Sequence, residues 1–180
     1  MLHSGLLNSP LKNLLLTSVI LFCASESEAN QYVEASFGFA QMNSSNDELD
    51  SNQYGPYRIY YGRSLTDGVF FEVGYLSGDN YENTSQDDFE IDSLFVNMKG
   101  VMALNRRYAL FVKLGSFAYR YELQNDDGSD SRKNGLGYAA SAGWEYVLDN
   151  RHILVGLEYE NTKTVHMETN VIHGNVQYRF

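Results

Sequence analysis

The chain has a single cysteine, only two prolines and few basic residues. It also has no apolar run long enough to cross a bilayer as a helix, which takes about 20 residues. The cysteine is Cys23, close to the start, so the remainder has no disulfide framework and no thiol chemistry. With so little proline there is no proline-rich linker. Lys and Arg number 13 against 23 Asp and Glu, for a net charge of −10. That balance excludes nucleic acid as a partner, because binding it needs a basic surface. No heptad and no convincing amphipathic helix is present. Aromatic residues are abundant instead, with 14 Tyr and 10 Phe, and mean hydropathy is −0.36.

The first residues read as a leader rather than as part of a fold. Lys12 precedes Leu14–Ala24, an apolar stretch of the length of a signal h-region. Ser27-Glu28-Ala29 then offers small residues at the two positions a signal peptidase reads, so cleavage is expected after Ala29. Phe22 stands where a lipoprotein would need a small residue before Cys23, which argues against lipidation. The expected organisation is a cleaved signal peptide over 1–29 and one domain over 30–180. The leader removes Lys12, Glu26 and Glu28, leaving the domain at −9.

Period-two alternation recurs through the rest of the chain and predicts eight strands. They are placed at Gln31–Gln41, Gln53–Ser64, Gly68–Leu76, Asp88–Leu104, Arg107–Leu123, Lys133–Leu148, His152–Asn161 and Asn170–Phe180. The connections alternate strictly between long and short. Met42–Asn52, Ser77–Asp87, Gln124–Arg132 and Thr162–Thr169 are long; Leu65–Asp67, Asn105–Arg106 and Asp149–Arg151 are short. Short turns at one end and long loops at the other belong to transmembrane barrels. The predicted fold is an eight-stranded antiparallel up-and-down transmembrane β-barrel, all-β.

Parity then separates the two faces. Apolar residues such as Leu110, Val112 and Leu114, or Leu157 and Tyr159, point out. Charges and glycines such as Lys113, Gly115, Gly156 and Glu158 point in. Phe89 and Ile91 have the opposite parity to Leu94 and Val96, which predicts a bulge near Asp92-Ser93. Eight strands leave an interior that side chains fill. Glycines are expected to make room there for long charged side chains.

Counting residues from each inward charge to its nearest short turn puts Arg58, Glu72, Lys99, Lys113, Glu145 and Glu158 in one belt. Pairing would relieve the cost of unpaired charges there. The sequence leaves two uses open, a packed ionic plug or a gate passing small ions, and favours the plug. Lys113 and Glu145, on neighbouring strands, are expected to pair.

Phe71-Glu72-Val73-Gly74-Tyr75, Ala109–Gly115, Gly143-Trp144-Glu145-Tyr146, Leu157-Glu158-Tyr159 and the closing Tyr178-Arg179-Phe180 together resemble the OmpA-like and OmpX-like outer-membrane barrels. The resemblance implies the outer membrane of a Gram-negative envelope and a barrel without the periplasmic peptidoglycan-binding domain. It implies that Val176, Tyr178 and Phe180 form the tag read by the barrel-assembly machinery. It also implies outer-membrane lipids and lipopolysaccharide as partners, no cofactor and a monomer. Relatives carry an arginine where this chain has Gly156, so the interior network should differ there.

The histidines offer no catalytic constellation. His173 is followed by Gly174-Asn175 rather than by the His-x-Ser of a lipid A deacylase. The Asp92-Ser93 pair lacks the helix that accompanies the palmitoyl-transfer type, His152 lies at a turn and His166 in a loop. The expectation is no catalytic residue and no enzyme. Asn125–Asp130 has a calcium-loop flavour but lacks EF-hand spacing, and its residues are turn formers, so no metal site is expected. Two of the long connections are acidic, carrying Asp47, Glu48 and Asp50, and Asp79, Glu82 and Asp87. A solvated surface, cation-bridged contact with lipopolysaccharide and recognition of a surface ligand all fit them. The expected role is outer-membrane integrity, with surface adhesion as the alternative and a lipid A enzyme or small ion pore behind both.

Overall fold

The computed structural model describes residues 31–44, 53–79, 88–124, 130–149, 151–164 and 167–180. The leader, its cleavage position, Cys23 and most of the long connections lie outside the described residues. The strands are β1 (Gln31–Ser44), β2 (Gln53–Tyr54), β3 (Tyr57–Thr66), β4 (Val69–Asp79), β5 (Asp88–Ala103), β6 (Tyr108–Gln124), β7 (Asp130–Val147), β8 (Ile153–Lys163) and β9 (Met167–Arg179). All neighbours are antiparallel, and β9 returns to pair with β1, so the sheet closes. Closure removes every edge, the condition for a sheet to stand in lipid.

Nine strands make eight staves. β2 and β3 hold one register against β1, with Ala40 opposite Tyr54 and Phe37 opposite Tyr57. The break between them is Gly55-Pro56. Pro56 has no N–H to donate, although its carbonyl still accepts from Gly38 N at 2.9 Å. The short turns are tight. Gly68 takes the left-handed φ of 73° between β3 and β4, and a Cβ there would also crowd the Val101 carbonyl.

The solvent-exposure pattern is inverted relative to a water-soluble domain. Phe39 is 72% exposed, Leu114 65% and Leu136 75%, while Arg58, Glu72, Lys99 and Lys113 are buried. An apolar outer face is stable against acyl chains and not against water. On β6 the band runs from Tyr108 to Ala118 and ends at Arg120. On β7 it runs from Tyr146 to Leu136 and ends at Asn134. Each matches the ~9–11 residues a tilted strand needs to span. Tyr108 and Tyr146 pack 4.9 Å apart at the short-turn rim, and Tyr178 stacks with Phe180 at 6.2 Å. These are girdle positions, where an amphipathic ring meets the interface.

β5 differs from the sequence expectation. Its pairing with β4 and β6 runs through Asp92 and Ser93 without a shift, so no bulge forms there. Ile91 faces the bore, beside Leu76, Phe95, Phe117, Tyr119, Tyr60 and Val171. On the long-connection side the interior around Ile91 is largely apolar, so an inward-facing Ile costs nothing. The register shift that does occur lies between Ser64 and Thr66.

Inward glycines also serve a different purpose from the one expected. Gly62 stands opposite Tyr32, Gly74 opposite Tyr60, Gly137 opposite Phe117 and Gly143 opposite Phe111. In each pair a Cβ would fall on the facing ring. The glycines make room for aromatic rings lying flat across the neighbouring strand, a pairing that pins register. Gly74→Val should therefore cost at least the ~1–3 kcal/mol of an overpacked core. Gly174→Ala, where an added Cβ meets nothing within 4 Å, should stay within about 0.5 kcal/mol of wild type. Urea unfolding of the refolded protein in detergent would measure both.

Candidate functional site: the charged bore

All six inward charges singled out in the sequence meet in one buried network. Arg58 on β3 donates to Glu158 Oε2 at 3.0 Å, to Ser36 Oγ at 3.0 Å and to Glu160. Lys113 on β6 reaches Glu34 at 2.9 Å, Glu158 at 3.3 Å and Glu72 at 3.5 Å. Lys99 on β5 pairs with Glu145 and lies 3.6 Å from Glu34. Arg179 approaches Glu145 from the short-turn rim at 3.5 Å.

The expected Lys113–Glu145 pair does not form. β6 and β7 pair Lys113 with Ser141, and Glu145 with Ala109. Four residues separate the two along the strand, about 13 Å at ~3.3 Å per residue. Barrel strands tilt, so distance from the nearest turn is not height along the bore. Lys113 and Lys99 are the true cross-strand neighbours. Like charges directly opposite are unfavourable, and Glu34 resolves the conflict by taking Lys113 on Oε1 and Lys99 on Oε2.

Glu34, Glu160, His173 and Tyr32 complete the network without having been assigned to the belt. Parity places Glu34 and His173 inward, and Glu160 follows Glu158 by two. Tyr32 donates to Glu72, and Asn97 Nδ2 lies 3.5 Å from Glu72. His173 Nε2 lies 3.6 Å from Glu160. Aromatic faces line the cations: Lys99 sits 4.6 Å from the Phe111 centroid, Lys113 4.8 Å and Arg58 5.1 Å from that of Tyr60. Rings held flat by glycines thus add cation–π contacts in a desolvated site.

Two layers therefore fill the bore. The ionic layer lies toward the short turns, and the Phe95–Phe117 stack, 4.8 Å between centroids, lies toward the long connections. Asp92 and Ser93, weighed as a catalytic pair, face opposite sides of the wall. Ser93 is in the bore, while Asp92 accepts from Tyr75 on the outer face. The loop 125–129 lies outside the described residues.

Val176 and Tyr178 alternate on the lipid side of β9, with Gln177 buried between them. Phe180 N donates to the Gln31 carbonyl at 3.1 Å, across the closing seam. Phe180 therefore ends both the apolar row and the seam. Deleting it should lower the heat-modifiable, folded fraction recovered from outer membranes several-fold. An unchanged yield on gels of unboiled samples would contradict a role in insertion.

The sequence matches a family model described as an outer membrane protein beta-barrel domain over residues 14–180. No curated protein matches it. Among solved structures it is similar to Neisserial surface protein A, with 19% identity and a TM-score of 0.73 over 86% of this chain and 100% of that one. It is also similar to Ail, the attachment invasion locus protein of Yersinia pestis, with 15% identity, TM-score 0.64 and coverage of 86% and 100%. The N-terminal barrel domain of Pseudomonas aeruginosa OprF gives 14%, 0.57, and coverage of 84% and 100%.

Proposed function

The chain belongs to the outer membrane protein β-barrel family, and on that premise we propose that it is a sealed, non-enzymatic barrel that maintains outer-membrane integrity. The supporting observation is the doubly closed bore, an ionic layer backed by stacked rings. A filled eight-stranded barrel offers lipid a rigid wall and offers solutes no path. Export with cleavage after Ala29 is part of the proposal, with the four long connections outside the cell and lipopolysaccharide against the outer rim. The envelope form should then begin at Asn30. Single cysteines at Asn46, Asn83 and Gly128 should react with an impermeant thiol reagent on whole cells, and one at Asn105 should not.

Adhesion is the second reading, favoured by the likeness to a surface protein and an attachment protein. One structure of Ail holds the heparin analogue sucrose octasulfate. The connections here carry Asp47, Glu48, Asp50, Glu82, Asp87, Asp126 and Asp127, which would repel a polysulfate. An adhesive ligand of this chain would be cationic.

A deletion strain decides between the readings. Integrity predicts increased entry of a hydrophobic fluorescent probe and sensitivity to detergent, both reversed by a barrel with shortened long connections. An intact barrier in the deletion strain, with loss of cell binding, would favour adhesion.

A further inference from the structure

On the long-connection side of the ionic layer, the bore has two unlike walls around a small cavity. β5 and β6 supply a largely apolar wall with Ile91, Phe95 and Phe117, broken by Ser93 and Tyr119. β8 and β9 supply oxygen with Glu160, Thr162 and Thr169. Register makes the second wall a ladder, in which Glu160 stands opposite Val171 and Thr162 opposite Thr169.

Glu160 lines this cavity, and its carboxylate keeps one oxygen without a hydrogen bond. Its Oε2 is taken by Arg58. Its Oε1 makes no hydrogen bond, and His173 Nε2 at 3.6 Å is beyond hydrogen-bond length, in a residue only 2% exposed. The charge balance points to the same place. Among the described residues, the bore buries Glu34, Glu72, Glu145, Glu158 and Glu160 against Arg58, Lys99 and Lys113. Arg179 at the rim adds one cation, and with His173 neutral beside Glu160 one carboxylate still lacks a counter-charge. An uncompensated charge in so confined a site is costly.

We propose that Glu160 Oε1 and the hydroxyls of Thr162 and Thr169 seat one small monovalent cation, an alkali or ammonium ion, above the ionic layer. The donors are all oxygen, which suits a hard cation. One free carboxylate oxygen beside Arg58 is too little charge for calcium or magnesium, which draw on several oxygens and on more than one carboxylate. The cavity is small, which excludes a bulky organic cation. The bound ion completes the charge balance, so the seat is a built-in stabiliser of the closed bore.

Urea unfolding of the refolded protein tests this at fixed pH and ionic strength, with choline chloride replaced stepwise by sodium, potassium or ammonium chloride. The unfolding midpoint should climb and saturate with at least one small cation, as for any ligand of the native state alone. It should not move with choline. Glu160→Gln should abolish the ion-specific shift. Should that variant not refold, Thr169→Val serves, because it keeps the shape and leaves every charge in place. Losing one contact to a charged ligand should raise its half-saturating concentration about tenfold or more. Equal midpoints in all four salts would place a proton on the Glu160–His173 pair instead and overturn the proposal. An unchanged half-saturation in Thr169→Val would overturn it as well.

Discussion

Lys113→Met should destabilise the barrel by about 3–5 kcal/mol, the cost of stripping one partner from a buried ionic cluster. Lys113 touches three carboxylates, but they do not suffer equally. Glu158 keeps Arg58 at 3.0 Å, and Glu34 keeps Lys99 at 3.6 Å. Glu72 pairs with no other cation among the described residues and would retain only the Tyr32 hydroxyl and the distant Asn97 amide. Glu72→Gln should therefore restore most of the loss, because no orphaned charge remains. Glu145→Gln should restore nothing. Glu145 belongs to Lys99 and Arg179, and removing its charge would leave Lys99 short of a partner. A double-mutant cycle on urea unfolding in detergent measures both couplings. Coupling of Lys113 with Glu145 rather than with Glu72 would mean that the β6–β7 register is wrong.

That contrast shows what the sequence discloses and what it withholds. Eight staves were legible because lipid on one side and a filled bore on the other enforce period two. Leu110, Val112 and Leu114 cannot exchange places with Lys113 and Gly115 without exposing charge to acyl chains. Strand ends were less legible. β7 begins at Asp130 and β9 at Met167, each three residues before the predicted start. Beyond the lipid band nothing penalises polar residues on either face, so Asp130–Lys133 can pair while looking like a loop.

Inside the bore, the sequence gives direction but not height. Each of the six inward charges could be read from parity, yet partners depend on strand tilt and stagger, which are properties of the closed sheet. Ile91 failed for another reason. The rule that apolar means outward holds only where the interior is polar, and around Ile91 the bore is packed by an apolar cluster. Parity carried from Lys99 and Asn97 through Phe95 would have placed Ile91 correctly without a bulge. The glycine–ring pairs escaped for the same reason as the ion pairs, since Gly74 and Tyr60 are joined by register alone.

Arg58→Met should be at least as damaging as the loss of Lys113, again about 3–5 kcal/mol. Arg58 holds two carboxylates that follow each other on the inner face of β8, and its planar fork also donates to Ser36. Glu158 has a second cation in Lys113 at 3.3 Å, whereas Glu160 has only His173 at 3.6 Å besides Arg58. Rescue should be unequal. Glu160→Gln should recover most of the stability and Glu158→Gln clearly less. Arg58→Lys should recover only part, since an ammonium keeps the charge but not the bidentate geometry. None of these variants that still folds should conduct ions across a planar bilayer. The Phe95–Phe117 stack lies on the long-connection side of the ionic layer and meets Arg58 only through Tyr60, which is set against Phe95 at 6.2 Å. Stable unitary currents through folded Arg58→Met would show that the ionic layer alone seals the bore, and the sealed-barrel reading would then rest on one closure instead of two.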